Sequence, residues 1–397
     1  MLSIALLAAT IAAGLWGTRD PVMNLAPTLV WVVFWAGLSL VVACVGNVWT
    51  IIDPWRAIFE ALDALARRLG RERGITLAYR YPEKLGAWPA VVILLAVAWL
   101  EVVYPEGAEP YRLACIVLGW SAVTLLGAIV FGREAWARNA DVFALYFGTL
   151  GRFAPFRYVR DEQLVMMRPP GRGLLHPAAD TLAMAAFVLA MLATVLFDGL
   201  LSGEAWWALQ ASITRVFPVL KTGHLMGTLG LVAVWSALFG AYAVCSICAA
   251  RITGHSPRRV VLAYVFTLVP IAVAYNIAHN FSSLVIQGQQ VIPLLSDPLG
   301  LQWDLFGTAH YKPKIGLVHA RTTWYVAIGA LVAGHVASVW LAHQVALREH
   351  GRPRRAVLAC LPLTILMLCY TAMSLTIIAE PMVKFDVATD SAMYRVP

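Results

Sequence analysis

Residues 260–290 read VVLAYVFTLVPIAVAYNIAHNFSSLVIQGQQ. The first half carries no charge, and the whole stretch exceeds the ~20 apolar residues that cross a bilayer's hydrocarbon core. The second half places Asn276, His279 and Asn280 on one helix face, because residues three and four apart share a face. We therefore expect a membrane-spanning helix whose final turns line a polar pocket.

The rest of the chain has the same apolar character. Its 397 residues are 60% hydrophobic and 13% charged, with a mean hydropathy of +0.73, whereas soluble domains carry about 25% charged residues. We predict an all-α, polytopic transmembrane bundle forming one integral membrane domain over 1–397. Nine apolar runs predict the spans: 2–17, 25–45, 87–104, 111–132, 182–201, 223–250, 260–286, 322–346 and 355–380.

The first apolar run lacks the basic residues that open a signal peptide. A short span, a re-entrant helix and a signal peptide all stay open for it.

Basic residues predict the topology. The loops 46–86, 133–181, 251–259 and 347–354 hold most of the 30 Lys and Arg residues, and such loops stay in the cytoplasm. The N-terminus is then cytoplasmic and the C-terminus lies on the opposite side. Because membrane orientation accounts for the net charge of +8, the expected partner is the lipid bilayer, and nucleic acid is not.

Three connecting segments carry their own patterns. GNVWTIIDPWRAIFEALDALAR (46–67) and GREAWARNADVFALYFGTLGR (132–152) predict two amphipathic helices on the cytoplasmic surface, with Trp and Phe toward lipid. The first would start at Asp53-Pro54. The segment 287–321 is too long for a simple connector, and Trp303, Leu305 and Phe306 predict an ordered extracytoplasmic lid.

Acidic and histidine side chains gather at the outer ends of the predicted spans. Glu101 and Asp198 end the third and fifth spans, and His279 lies late in the seventh. Ionisable residues at such depth are costly and mark functional sites. We predict Asp198 and Glu101 as catalytic groups. The predicted substrate-binding and metal-binding residues are Trp303, Gln287 and Asn276 for the substrate, and His279, His335, Asp198, Glu101 and Asp297 for the metal.

Three interpretations compete for this cluster. Imidazole and carboxylate groups suit a divalent zinc, manganese or iron ion. Facing histidines such as His279 and His335 also suit haem. Alternatively, each histidine forms a hydrogen bond to a neighbouring helix and stabilises packing.

Motifs in order along the chain resemble a family of bacterial polytopic membrane proteins labelled fenitrothion hydrolase. They are NLAPTLVWVVFWAGL, GNVWTIIDPWRA, AWLEVVYP, DVFALYFGTLGRFAP, RPPGRGL, LFDG, IAHNFSSLVIQGQ, LLSDPLGLQWDLFGT and GHVASVWLAHQ, between residues 24 and 344. The resemblance implies hydrolysis of an organophosphorus triester at the bacterial inner membrane, by two related subunits. It also places Glu101, Asp198, His279, Asp297 and His335 in shared motifs.

Together these patterns predict a metal-dependent membrane hydrolase whose site opens to the periplasm. A metal ion would polarise the phosphoryl oxygen and supply hydroxide. The alternatives are a haem- or quinone-handling membrane subunit of a redox complex, and a transporter or assembly subunit.

Overall fold

The predicted all-α bundle is confirmed. The computed structural model describes residues 2–159, 164–175, 179–221, 224–351 and 353–393, and 76% of it is helical. Within these ranges, seven helices are long and apolar enough to cross a membrane. Two shorter apolar helices, Leu2–Trp16 and Trp88–Val102, coincide with the first and third predicted spans. The C-terminal residues 394–397, which we expect outside the cytoplasm, lie beyond the described ranges.

The elements follow in chain order. The helices are α1 (Leu2–Trp16), α2 (Leu25–Cys44), α3 (Pro54–Arg68), α4 (Trp88–Val102), α5 (Pro110–Phe131), α6 (Arg133–Asn139), α7 (Val142–Gly151), α8 (Leu182–Leu201), α9 (Glu204–Val216), α10 (Leu225–Thr253), α11 (Pro257–Ser296), α12 (Ala320–His350) and α13 (Pro353–Met393). A two-stranded antiparallel hairpin, β1 (Phe156–Val159) and β2 (Leu164–Met167), follows α7.

The centre of the bundle is formed by α8 and α11. Residues 185–194 of α8 are buried without interruption, and 83% of the most apolar window of α11 is buried. Because α8 is buried on all sides, its sequence shows no polar face, as expected for a core helix of a membrane protein. These two buried helices therefore hold Asp198 of α8 and His279 of α11 in fixed positions.

Helix α3 starts where the sequence predicts. The Asp53 carboxylate accepts the backbone N–H groups of Trp55 and Arg56 at 3.0 and 3.1 Å, which caps the helix N-terminus. The predicted orientation of its aromatic residues is wrong, however. Trp55 and Phe59 are buried against the bundle instead of facing outward, since the indole of Trp55 donates to Ser121 of α5.

The second predicted surface helix divides into two elements. Helix α6 lies against α5, but α7 enters the bundle, and its Tyr146 and Phe147 are buried. Buried Asp141 caps α7 by accepting two backbone N–H groups. The sequence DVFALYFGTLG is apolar on all sides, which is typical of an inserted helix. The expectation of an amphipathic surface helix fails for this half, while residues 160–163 and 176–178 of the same predicted loop lie outside the described ones.

Polar contacts hold the segment after α11. The Ser296 hydroxyl donates to Asp304 and accepts the backbone N–H of Phe306. The Leu299 carbonyl accepts the N–H of Thr18, which ties this lid segment to the end of α1. Trp303, Leu305 and Phe306 are 41%, 59% and 70% exposed, so our prediction that these apolar residues fix the segment to the bundle is wrong.

Candidate functional site

Helices α8 and α11 meet through a polar contact between Asp198 and His279. His279 Nε2 lies 2.7 Å from Asp198 Oδ2, with 43% and 25% of the two side chains exposed. The sequence placed both residues at this level by depth alone, and the structure brings them into contact. Because both side chains are partly exposed, a bound molecule can reach this pair.

Glu101 joins this pair from α4. Its carboxylate interacts electrostatically with both Asp198 and His279. The indole N–H of Trp35, in α2, donates to Glu101 Oε2 at 2.8 Å. The cluster therefore holds two carboxylates and one imidazole, contributed by three helices and oriented by a fourth.

The sequence did not reveal Trp35, because its position depends on a π-helix. Residues Thr28–Gly37 of α2 form π-helical turns, which are rare and often occur at functional sites. In this segment Trp31 donates to the Gly107 carbonyl and Trp35 donates to Glu101. The wider turn thus presents two indole N–H groups toward the neighbouring helices.

Two residues below the cluster form a second polar layer. The Tyr146 ring stacks on the Trp35 ring with centroids 4.9 Å apart, and Asn276 Nδ2 donates to the Tyr146 hydroxyl at 3.5 Å. Asn276 is buried one turn below His279. Asn276 therefore helps to position Tyr146, and Tyr146 helps to position the Trp35 ring that contacts the cluster.

His335 lies away from the cluster. It is buried, its Nδ1 contacts the Leu331 carbonyl oxygen at 2.7 Å, and its ring lies 6.0 Å from that of Tyr370. At the adjacent Gly334, α12 crosses α11 close to Pro270 and Ala274. Since His279 lies five to nine residues further along α11, the two histidines differ in depth by roughly 7 to 13 Å.

The remaining predicted site residues also lie elsewhere. Asp297 accepts the backbone N–H groups of Leu301 and Gln302 at 2.8 and 2.9 Å, so it stabilises the turn of the lid segment. Gln287 is exposed at the outer end of α11, and Trp303 is exposed in the lid segment.

The cluster holds donor groups that suit a metal ion, namely an imidazole and two carboxylates. Among the described residues, no three His, Cys, Asp or Glu side chains are grouped to hold one. His279 and His335 differ in depth, so these two histidines do not face one another as a pair of haem ligands would.

An apolar groove adjoins the cluster. Its volume is about 760 Å³, within the range of ligand sites, and it lies between α1, α2, α4 and α5. Trp35 and Leu100 belong to its wall, so the residue that orients Glu101 and the residue preceding Glu101 both face the groove. Apart from Ser3, Thr10 and the tryptophan N–H groups, the wall is apolar.

Comparison with known proteins adds no identity. No family model, no curated protein and no solved structure matches this chain.

Proposed function

We propose that this protein is a membrane-embedded hydrolase of apolar organophosphorus triesters, with its reactive groups at the outer ends of α4, α8 and α11. The contact between His279 Nε2 and Asp198 Oδ2 carries the proposal, because a carboxylate that orients an imidazole is the arrangement of a general base. The motifs shared with the fenitrothion hydrolase family support the choice of substrate class.

The hydrogen bond between His279 and Asp198 defines which imidazole nitrogen reacts. With Nε2–H donated to Asp198, the lone pair of neutral His279 lies on Nδ1. A water molecule bound to Nδ1 attacks phosphorus and transfers its proton to Nδ1. The bond from phosphorus to the leaving oxygen breaks, and that oxygen departs with the electron pair and takes up a proton. The products are a phosphodiester and an alcohol or phenol.

Glu101 supports the same step electrostatically. Its carboxylate interacts with His279 and is held by the Trp35 N–H. The Asp198 carboxylate, with Glu101 beside it, stabilises the imidazolium that forms when His279 accepts the proton, and this attraction is stronger in an apolar setting than in water. The proposal therefore gives Asp198 and Glu101 the catalytic roles that we predict from the sequence.

The apolar groove supports a neutral, lipid-soluble substrate. Several of its lining residues are exposed on the outer surface of the helices, among them Val33, Val41 and Val123. A triester dissolved in the bilayer can enter from the side without crossing water. Its phosphoryl group then meets the polar cluster at Trp35 and Glu101.

Substitution of the pair tests the proposal. In purified protein, His279→Ala and Asp198→Asn should each lower kcat/KM for a nitrophenyl dialkyl phosphate by roughly 10²- to 10⁴-fold, the usual contribution of a positioned base. Nitrophenolate absorbance measures the rate. His343→Ala, a half-buried histidine near the other end of α12, is the matched control and should keep full activity. Undiminished turnover in His279→Ala would remove the pair from the chemistry.

A divalent metal is a separate part of the proposal. Zinc, manganese or iron would bind through the carboxylates of Glu101 and Asp198 and the imidazole of His279. Metal analysis of the purified protein, and turnover before and after chelation, test this part. Stoichiometric metal with chelator-sensitive turnover would support it, and full turnover without metal would refute it.

The shape of the groove favours one second candidate, a quinone-handling subunit of a redox complex. An apolar groove beside an indole N–H and a carboxylate also suits a quinone with an apolar tail. Lipid extraction and a visible absorption spectrum of the purified protein distinguish the candidates. Co-purified quinone or a haem Soret band, without ester hydrolysis, would favour the redox candidate. Co-purification also tests the second, related subunit that the resemblance implies.

A further inference from the structure

The apolar groove is elongated, and its length carries information about the ligand. Along α5, the lining residues run from Leu113 to Val123, ten residues or about 15 Å of helix. This is half of the ~30 Å hydrocarbon core, which is the depth of one leaflet. A compact triester fills only the end of such a groove.

Two parts of the groove wall differ chemically. Along α2 the wall runs from Leu29 to Val41, and within it Trp35 donates to Glu101. Trp55 stacks on Phe143 with centroids 5.9 Å apart and meets Trp120 edge-on at 6.3 Å, so these three rings form an apolar floor. A molecule that fits both parts has a polar ester group and a long apolar chain.

We infer that the substrate is a membrane-resident phosphoester with one long alkyl or acyl chain, which lies in the apolar groove while its ester reaches Glu101, Asp198 and His279. This inference rests on the proposed function and specifies its substrate class. A chain that moves from the bilayer into the groove exchanges one apolar surrounding for another. Entry therefore needs no dehydration of the chain, and the groove selects by length and shape.

Gly119 allows the groove to be filled without disturbing the bundle. It lies in the groove wall on α5, and a Cβ atom added there meets nothing within 4 Å. Gly240 on α10 has equally open surroundings and is no part of the groove wall. Gly119→Phe and Gly240→Phe are thus a matched pair, one blocking the groove and one leaving it open.

The first experiment compares chain lengths. Nitrophenyl ethyl alkyl phosphates with ethyl, octyl or hexadecyl chains are presented at equal mole fraction in nanodiscs, which removes differences in partitioning. The hexadecyl ester should be hydrolysed at least roughly tenfold faster than the ethyl ester. Gly119→Phe should abolish this preference, and Gly240→Phe should keep both the preference and the turnover of the ethyl ester.

The second experiment does not depend on turnover. A hexadecyl ester with a diazirine at the chain end is photolysed with the protein, and adducts are mapped by mass spectrometry. Adducts should concentrate at Trp55, Trp120 and Phe143, and Gly119→Phe should remove them where Gly240→Phe does not. Adducts spread over all lipid-facing helices, or unchanged in Gly119→Phe, would overturn the inference.

The two experiments separate the two proposals. Floor adducts that depend on an open groove, without nitrophenol release from any ester, would refute the hydrolase but keep the long-chain ligand. Hydrolysis that needs His279 but ignores chain length, with scattered adducts, would keep the hydrolase and refute the long-chain substrate.

Discussion

Arg168 caps the C-terminal end of the inserted helix α7. Its guanidinium donates to the backbone carbonyl oxygens of Gly151, Arg152 and Ala154 at 2.8, 3.1 and 3.1 Å. The last carbonyl groups of a helix have no partner within the helix, and the end of α7 is buried. Arg168 therefore lies in a connector that caps a helix.

Replacing Arg168 should destabilise the protein. Arg168→Met removes bonds to three carbonyl groups, and hydrogen bonds from a charged group contribute about 1.5–3 kcal/mol each, so the free energy of unfolding should fall by at least about 2 kcal/mol. Arg172, on the other side of the same Pro-Pro-Gly turn, is exposed. Arg172→Met should therefore change the free energy of unfolding by less than about 0.5 kcal/mol. Unfolding in detergent measures both variants, and equal losses would contradict the capping role.

Single residues also show how far the sequence predicts the site. Glu101, Asp198 and His279 were recognised because ionisable side chains stand out in apolar helices. Trp35 and Tyr146 were missed, since a tryptophan or tyrosine in an apolar run is not distinctive. Their roles depend on the π-helix of α2 and the inserted α7, and neither has a periodic signal in the sequence.

Among the elements, α6 packs on α5 through one close approach. A Cβ atom on Gly127 would lie 2.4 Å from Trp136 Cδ2, and the Trp136 indole donates to Thr124. Gly127→Leu should displace the indole and lower stability by about 1–3 kcal/mol, the usual cost of overpacking. Gly240→Leu, at an open position on α10, is the control, and thermal unfolding compares the two. Equal stability of both variants would contradict this close packing.

The lid segment should depend on pH through Asp304. The backbone N–H of Ala309 and the Ser296 hydroxyl lower the pKa of the Asp304 carboxyl below its usual value. A lowered pKa in the folded state contributes stability above the usual value of about 3.9, and this is lost as pH falls through the lowered pKa. Hydrogen exchange of residues 299–309 should therefore stay slow at pH 5 and rise at the most acid pH.

Asp304→Ala should make the same amides exchange rapidly at neutral pH. Asp20→Ala is a control on the adjoining turn, because the Asp20 carboxylate accepts the backbone N–H of Val22. Unchanged exchange in Asp304→Ala would show that the lid is ordered by other contacts.

The elements differ in how well the sequence predicts them. Long spans follow directly from apolar length, and α3 follows from its Asp-Pro start. Helix α7 does not, because its ten residues are too short for a span and too apolar for the surface. The lid was predicted as ordered for the wrong reason, since its order comes from Ser296 and two aspartates.

For the whole molecule, the orientation of the bundle determines where the site opens. The chain crosses the membrane nine times if α1 and α4 span it in addition to the seven long helices, and if α7 enters and leaves on the same side. If the basic loop around Glu72 lies in the cytoplasm, as we expect from its charge, Glu101, Asp198 and His279 lie near the periplasmic surface. A reversed bundle would place the proposed hydrolase site inside the cell.

Cysteine labelling tests this orientation. In a variant without the six native free cysteines, Glu72→Cys and Lys312→Cys each introduce one thiol at an exposed loop position. A membrane-impermeant maleimide should label Lys312→Cys in intact spheroplasts, because the lid segment faces outward, and should label Glu72→Cys only after lysis, since positively charged loops remain inside. The opposite pattern would reverse the bundle, and labelling of both in intact spheroplasts would contradict an odd number of crossings between the two positions.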